Sequence, residues 1–317
     1  MGIGMLLAAL VVGAAGPAYL RRAVDAAARP GVALGAWIGT GVVFVTLLVA
    51  APVVMHVQPL RGFAPAATAV TACATMFDPA TSGVWPAAVR GVVVAVAVVA
   101  AVSAVAVVVA AMSRARRSAR AHARSLRSLV EATDHVDGVR VWWIADDEPV
   151  AYALPGAATR GFPGVGRRGS ASPVGTVVAS TALWDLGEER RRAVLDHEIA
   201  HLRGRHHVAV TSAAALRTVF SPVPLLRRAA AEVSVLAELA ADRRAALGAG
   251  GAAAVRGALG ELGSPAGRVA VLSSVPAGPR GVGPGLVLAL VHAVSPAAIS
   301  AAAATTLVLG MCSALAG

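Results

Sequence analysis

Long apolar runs separated by polar connections dominate this sequence, and four of them are long enough to cross a membrane. A helix needs about 20 apolar residues to cross about 30 Å of hydrocarbon. The centres of these runs contain no Asp, Glu, Arg or Lys, the residues that are costly within lipid. We therefore predict four transmembrane helices, at about residues 3–20, 32–55, 87–112 and 285–317.

The first apolar run is followed, not preceded, by basic residues. A secretory signal peptide carries its positive charge ahead of its apolar run, whereas Arg21 and Arg22 come after it here. We therefore expect this run to be a retained membrane helix.

Residues 113–281 are polar enough to form a folded domain outside the lipid. Their pattern predicts strands at Val139–Ala145, Val150–Leu154 and Gly175–Ser180, followed by helices at Asp185–Arg203, His207–Phe220 and Ala229–Leu247. Asp185 and Glu188 have the spacing of a helix-capping box, and Gly248–Pro284 reads as a tether to the last span. The predicted fold class is a membrane α-helical protein with an inserted α+β domain.

The composition excludes an ordinary soluble protein, because 57% of the 317 residues are hydrophobic and only 14% are charged. All 28 basic residues are Arg, and the formal net charge is +11. The connection 21–31 and the domain 113–281 are rich in Arg, whereas 56–86 contains only Arg61. Because cytoplasmic connections carry the excess of basic residues, we predict a multi-pass protein of the cell membrane with its polar domain in the cytoplasm.

A basic segment, Arg114–Arg127, follows the third predicted span directly. Such segments attract anionic lipid headgroups. Binding of single-stranded nucleic acid also uses aromatic side chains on which bases stack, and none is interleaved here. Membrane lipid is therefore the expected partner, and direct nucleic-acid binding is not expected.

The two cysteines, Cys73 and Cys312, do not have metal-binding spacing. Both are predicted at or near the outer side of the membrane. Two unreactive small residues are the favoured interpretation, and a disulfide between them is the alternative.

The segment His197-Glu198-Ile199-Ala200-His201 carries the clearest chemistry in the chain. Side chains four residues apart project from one face of a helix, so the two imidazoles can bind one zinc ion. The adjacent Glu198 is then in position to act as the general base for the attacking water. This motif, on a predicted helix, indicates a zinc metallopeptidase.

A zinc peptidase site of this kind needs a third protein ligand. Glu238 is our candidate, and Asp242, one helical turn later, would accept a hydrogen bond from a ligand imidazole and so orient it. His207 is an alternative third ligand, because His197–His207 fits the pattern H-E-x-x-H-x-x-G-x-x-H. Glu232 is a further alternative, but it lacks an Asp partner.

With these motifs, the chain resembles the BlaR/MecR family of integral membrane zinc metallopeptidases, and it is more distantly similar to the HtpX and Ste-type membrane proteases. The resemblance implies a cytoplasmic gluzincin domain between a third and a fourth span. It also implies that the strand before the motif presents its edge to an extended substrate. It implies His197, His201 and Glu238 as zinc ligands and Glu198 as the base. The residues that carry it are Gly175–Ser180, Ala193–His201, Phe220-Ser221-Pro222 and Glu238-Leu239-Ala240-Ala241-Asp242.

The antibiotic sensors of the BlaR/MecR family carry a penicillin-binding domain after their fourth span, whereas this sequence ends at Gly317. We therefore expect a family member without that sensor domain. A cytoplasmic transcriptional repressor of the BlaI type is a substrate that the resemblance suggests.

Two functions follow from the sequence. The first is a membrane metalloendopeptidase that acts on a protein or peptide substrate. The second is a zinc-binding signalling or scaffolding module with little proteolytic turnover. The second stays open because no residue stands out for stabilising an oxyanion among Arg243, Arg244, His206 and His207.

Overall fold

The computed structural model describes residues 2–56, 87–156, 174–248 and 250–262. The strands are β1 (Val130–Val136), β2 (Val139–Ile144), β3 (Ala151–Pro155) and β4 (Gly175–Ser180). The helices are α1 (Gly2–Ala23), α2 (Pro30–His56), α3 (Ala87–Leu126), α4 (Glu188–Arg203), α5 (His206–Val219), α6 (Pro224–Ala245) and α7 (Gly251–Glu261). The predicted fourth span, Cys73 and Cys312 lie outside the described residues.

Three helices within the described part of the chain are long and apolar enough to cross a membrane, and they indicate a membrane protein. The stretches that meet this criterion are Met5–Ala23, Pro30–Ala51 and Val98–Leu129. The third stretch belongs to α3, which continues without a break from the predicted span 87–112 into the basic segment. Its last turns carry the buried Ala123 and Leu126, which pack against Trp142 of the sheet. One rigid helix therefore joins the apolar segment to the sheet.

The sheet has four strands in the order β1-β2-β4-β3. The central pair, β2 and β4, is parallel, and the two outer strands are antiparallel to their neighbours. A two-residue turn joins β1 to β2, and both of its residues have positive φ, 50° at Asp137 and 75° at Gly138. Asp-Gly is a favoured sequence for such a hairpin turn. Strand β1 is absent from the sequence prediction because most of its side chains are exposed and lack an apolar alternation.

The three predicted strands coincide with β2, β3 and β4, but the predicted capping box and the predicted tether were wrong. The capping box does not form, because Asp185 belongs to a separate 3₁₀ helix, Thr181–Leu186. Gly187, with a positive φ of 78°, separates this 3₁₀ helix from α4. The predicted tether contains α7, which buries Val255 and Leu259 in a cluster with α4 and α6. Helix α6 also begins earlier than predicted, at Pro224, since proline suits the first turn of a helix.

Two apolar cores hold α4 and α6 in their positions. Helix α4 packs on the sheet through residues including Leu195, Ile199 and Leu202, which cluster with the central strands. Helix α6 packs mainly against α1 and α2, and its Leu225, Leu226, Ala229, Val233 and Leu236 are all buried there. The polar face of α4 and one face of α6 then meet across a cleft, and this cleft contains the candidate site.

Candidate metal centre

Helix α4 brings the two histidines of the motif together. The Nε2 atoms of His197 and His201 lie 3.1 Å apart, and the ring centroids are separated by 4.7 Å. The opposite face of the helix is anchored in the core, since Ile199 and Leu202 are each 2% exposed. The backbone is thus fixed by packing, and both imidazoles point into the cleft.

Glu238 approaches the same point from α6. Its Oε2 atom lies 3.6 Å from Nε2 of His197, and its Oε1 atom lies 3.4 Å from Nε2 of His201. Ligands at about 2.0–2.1 Å from a tetrahedral zinc ion are separated by about 3.4 Å along each edge of the tetrahedron. The imidazole nitrogens are 3.1 Å apart, and each faces a different carboxylate oxygen of Glu238 at a similar distance. One ligand atom from each residue lies within 4.8 Å of the other two, so His197, His201 and Glu238 form a group that could hold a metal ion.

Asp242 orients His197 from behind. The Nδ1–H group of His197 donates to Oδ1 of Asp242 at 2.9 Å, and the carboxylate is almost fully buried, with 1% of its side chain exposed. Burial lowers the pKa of His197, but the hydrogen bonds to Asp242 and Glu238 outweigh it and raise this pKa to about 9. The bond also fixes the tautomer of His197, because it keeps one proton on Nδ1. When the ring is neutral, the lone pair of Nε2 therefore faces Glu238.

A third histidine, His206, supports His201 in a similar way. Its Nδ1 atom lies 3.1 Å from Nδ1 of His201, and only 7% of the residue is exposed. Burial lowers the pKa of His206, which favours the neutral ring that can accept the Nδ1–H of His201. Gly204 makes room for this ring, since a Cβ atom there would lie 2.4 Å from Nε2 of His206. The sequence indicated His206 only as a candidate for stabilising an oxyanion. Its position beside His201 could have been inferred only from the spacing of Gly204 and His206.

A cavity of about 330 Å³ opens beside the three candidate ligands. Glu198 lines it from α4, and Ala153 and Pro155 line it from β3. The resemblance implied that β4, the strand before the motif, presents its edge to a substrate. This was wrong, because β4 is paired on both sides, with β2 and with β3. The edge strand beside the cavity is β3.

The other candidates from the sequence occupy different places. His207 is exposed and lines the cavity, but it is not a member of the group that could hold a metal. Glu232 faces α1, with Oε1 3.6 Å from Nη1 of Arg21. Arg243 also turns away from the cleft, and its guanidinium donates to the backbone carbonyl of Ala28. Arg244 is exposed and is not among the residues that line the cavity.

Comparison with protein families gives a finding that does not depend on this geometry. Residues 167–257 match the sequence model of peptidase family M48. The matched segment contains β4, all of α4 to α6, and every candidate site residue discussed above. Comparisons with curated proteins and with solved structures gave no match. The match suggests a metallopeptidase function, and the dependence of M48 peptidases on a metal agrees with the His-His-Glu group.

Proposed function

We propose that this protein is a membrane-embedded zinc metalloendopeptidase whose peptidase domain lies in the cytoplasm. The observation that carries the proposal is the convergence of His197, His201 and Glu238, whose ligand atoms lie within 4.8 Å of one another and could hold one metal ion. The M48 match of residues 167–257 supports a peptidase. The three apolar helices of membrane-spanning length support the membrane location.

Zinc is the metal that this donor set suits best. Two imidazole nitrogens and one carboxylate oxygen are a common catalytic zinc set, and they leave one coordination position open. A zinc ion bound there would supply a Lewis acid that lowers the pKa of water towards about 7. Magnesium and calcium prefer all-oxygen sites, so the two histidines argue against them.

The protein's own residues would perform the remaining tasks. Glu198 lines the cavity next to His197, and as general base it would take the proton from the attacking water. Asp242 and His206 would hold the two ligand imidazoles in the required orientation. His207 reaches the cavity from the start of α5 and is a candidate for stabilising the oxyanion that develops on the peptide carbonyl.

Strand β3 supports an extended peptide as the substrate. Val150 and Gly156 hydrogen-bond towards β4, and by the alternation of an antiparallel pair the backbone of Ala153 faces outwards. Among the described residues, no strand pairs with this outer edge. A substrate strand added there would hydrogen-bond to Ala153, whereas Pro155 can only accept. Because Ala153 and Pro155 also line the cavity, such a peptide would pass close to Glu198.

The cytoplasmic orientation rests on the distribution of Arg along the sequence. The resemblance to BlaR/MecR proteins extends the proposal to a protein substrate in the cytoplasm, such as a BlaI-type repressor. The alternative function is a zinc-binding membrane scaffold with little turnover. It is favoured by one observation, namely that Arg243 is turned away from the cavity and cannot serve an oxyanion there.

Metal removal tests the proposed function. We expect the purified full-length protein in lipid nanodiscs to contain one zinc ion and to cleave unfolded proteins. A chelator should abolish the cleavage, and added zinc should restore it. Zinc content is measured by mass spectrometry, and cleavage by the appearance of new peptide amino termini. A protein that holds zinc and cleaves no substrate would support the scaffold instead, and one that binds no zinc would contradict both functions.

The hydrogen bond to Asp242 leads to a second prediction. Replacing a carboxylate that orients a metal-binding imidazole costs about 10–100-fold in metal affinity, so we expect Asp242→Asn to weaken zinc binding by that factor. Competition with a chromophoric chelator measures the affinity. Asp134→Asn is the matched control, because Asp134 is exposed on β1 and should leave zinc binding unchanged. Equal affinities of the two variants would argue against the orienting role.

A further inference from the structure

The connection between α5 and α6, residues Phe220–Pro224, packs against the middle of the apolar helices. A Cβ atom built on Gly13 of α1 would lie 3.1 Å from Cγ1 of Val223 and 3.0 Å from Cε2 of Phe44. The rings of Phe44 on α2 and Phe220 meet edge to face, with centroids 6.0 Å apart. Gly13 and Phe44 both lie well inside the stretches that could span a membrane, Met5–Ala23 and Pro30–Ala51.

The adjoining turns of α5 and α6 lie at the same level. A Cβ atom on Gly16 would contact Leu225, and one on Gly41 would contact Leu226. Ala104, in the apolar part of α3, belongs to the same buried cluster as Ala213 of α5. Helices α1 and α2 therefore contact the α5–α6 hairpin near the middle of their own lengths, and the apolar part of α3 shares a buried cluster with it. A bilayer that surrounds these helices must also surround the tip of the hairpin.

Charged side chains of this hairpin lie beside its tip. Arg217 precedes Phe220 by three residues, or about 4.5 Å along a helix, and Arg227 and Arg228 follow Pro224 by a similar distance. All three are exposed, and no described carboxylate forms an ion pair with them. Long Arg side chains can keep their stems in apolar surroundings while the guanidinium reaches the interface. Phosphate groups suit the guanidinium as bidentate acceptors.

We propose that the α5–α6 hairpin is a re-entrant membrane element. The tip Phe220–Pro224 lies within the hydrocarbon, on the side from which the peptidase domain enters. The collar of Arg217, Arg227 and Arg228 begins below the surface; its guanidinium groups extend towards it and, with local thinning of the bilayer, bind the phosphates of anionic phospholipids. The hairpin thus anchors α6, the helix that carries Glu238 and Asp242, directly in the bilayer.

The height of the candidate metal centre follows from this arrangement. Glu238 lies fourteen residues beyond Pro224, or about 21 Å along α6, whereas half of the hydrocarbon thickness is about 15 Å. Two contacts agree with this estimate: Glu232 pairs with Arg21 at the end of α1, and Arg243 donates to Ala28 in the connection between α1 and α2. The centre is therefore level with the membrane surface.

A site at this height selects its substrates by position. Peptide segments next to a membrane anchor or bound to the bilayer surface reach the cavity, whereas a segment far from the membrane does not. This consequence rests on the proposed function. The depth of the hairpin does not, and it can be tested without any measurement of cleavage.

Fluorescence quenching tests the depth. In the full-length protein with Cys73→Ser and Cys312→Ser, a single cysteine is introduced at the exposed tip position Ser221, labelled with bimane, and reconstituted in vesicles. Val105→Cys, in the apolar part of α3 and 63% exposed, is the control for lipid, and Thr133→Cys, exposed on β1, is the control for water. We expect lipids brominated on their acyl chains to quench the labels at 221 and 105, and aqueous iodide to quench only the label at 133. Iodide quenching at 221 equal to that at 133 would overturn the proposal.

The basic collar is tested by lipid composition. In vesicles of phosphatidylcholine with one-third phosphatidylglycerol, we expect the unfolding temperature of the protein to lie several degrees above its value in phosphatidylcholine alone. The triple variant R217Q/R227Q/R228Q should lose the part of this difference that the collar contributes and keep the part that the basic segment Arg114–Arg127 contributes. Arg244→Gln, which removes an exposed charge at the far end of α6, should reduce the difference much less. A difference that is as large in the triple variant as in Arg244→Gln would overturn the headgroup contact. A loss of zinc with both lipid results as expected would concern the proposed function alone.

Discussion

Replacing Glu198 by glutamine is expected to lower the rate of peptide cleavage by about 10²–10⁴-fold, the usual contribution of a general base. The amide keeps the size of the side chain but cannot take a proton from water. Because the proposed ligands are His197, His201 and Glu238, the variant should still bind zinc with nearly the wild-type affinity. The rate is measured on a fluorogenic peptide with the full-length protein in nanodiscs, and the zinc content in the same sample.

Glu189→Gln is the control for this substitution. Glu189 lies in the first turn of α4 and is exposed, so its replacement removes one negative charge from the same helix without touching the cleft. We expect its rate to stay within about twofold of the wild type. An unchanged rate in Glu198→Gln would remove the proposed base, and a loss of zinc in that variant would mean that Glu198 supports the metal instead.

The parts of the site that could be predicted are those in which local spacing determines geometry. Four residues on a helix bring His197 and His201 to one face, whatever the rest of the fold does. The same spacing links Glu238 to Asp242 on α6, so both members of that pair reach the cleft together. The sequence could not establish that α6 crosses α4 at the right place. That crossing depends on buried side chains from two cores, which have no short-range signature.

The predictions that failed depended on tertiary contacts or on turn chemistry. Strand β1 shows little apolar alternation, and only the turn Asp137-Gly138 marked it. Strand β4 precedes the motif in sequence, but it lies between β2 and β3, which pair with both of its edges. Helix α7 is rich in Gly and Ala and resembles a linker, yet Val255 and Leu259 find a buried partner in α4. In each case the decisive information lies in a distant segment.

His206 illustrates a residue whose role depends on a close approach. It begins α5 after Arg205, which adopts the left-handed conformation with φ of 50°. This sharp change of direction turns the ring back over Gly204 and onto His201. A sequence pattern can indicate a histidine near a metal motif, but it does not indicate which of His206 and His207 turns inwards.

Replacing His197 or Glu238 by alanine should abolish zinc binding in both cases, but the two variants should differ in the unfolding free energy of the metal-free protein. Each residue is one of three proposed ligands, so either alanine variant is expected to weaken zinc binding by more than the 10–100-fold of an orienting residue. His197→Ala also removes the imidazole that donates to the carboxylate of Asp242, which is 1% exposed. Breaking a buried pair in this way costs about 3 kcal/mol of unfolding free energy. The side chain of Glu238 is 39% exposed, so Glu238→Ala should cost much less.

The pH dependence of this difference has a defined sign. The pKa of His197 is raised from 6.5 to about 9 in the folded protein, so its contribution to the stability is fully present below about pH 6.5. The contribution decreases as the pH rises through about 9. The advantage of the metal-free wild type over His197→Ala should follow the same course in urea unfolding at several pH values. An advantage that grows with pH would contradict the protonated pair.

A double variant separates the two roles of His197. In His197→Ala/Asp242→Asn the buried carboxylate is replaced by a neutral amide, so most of the lost unfolding free energy should return. Zinc binding should not return, because one ligand is still missing. Recovery of both properties would mean that His197 does not bind the metal. Recovery of neither would mean that the packing of α4 against α6, and not the Asp242 contact, depends on the imidazole.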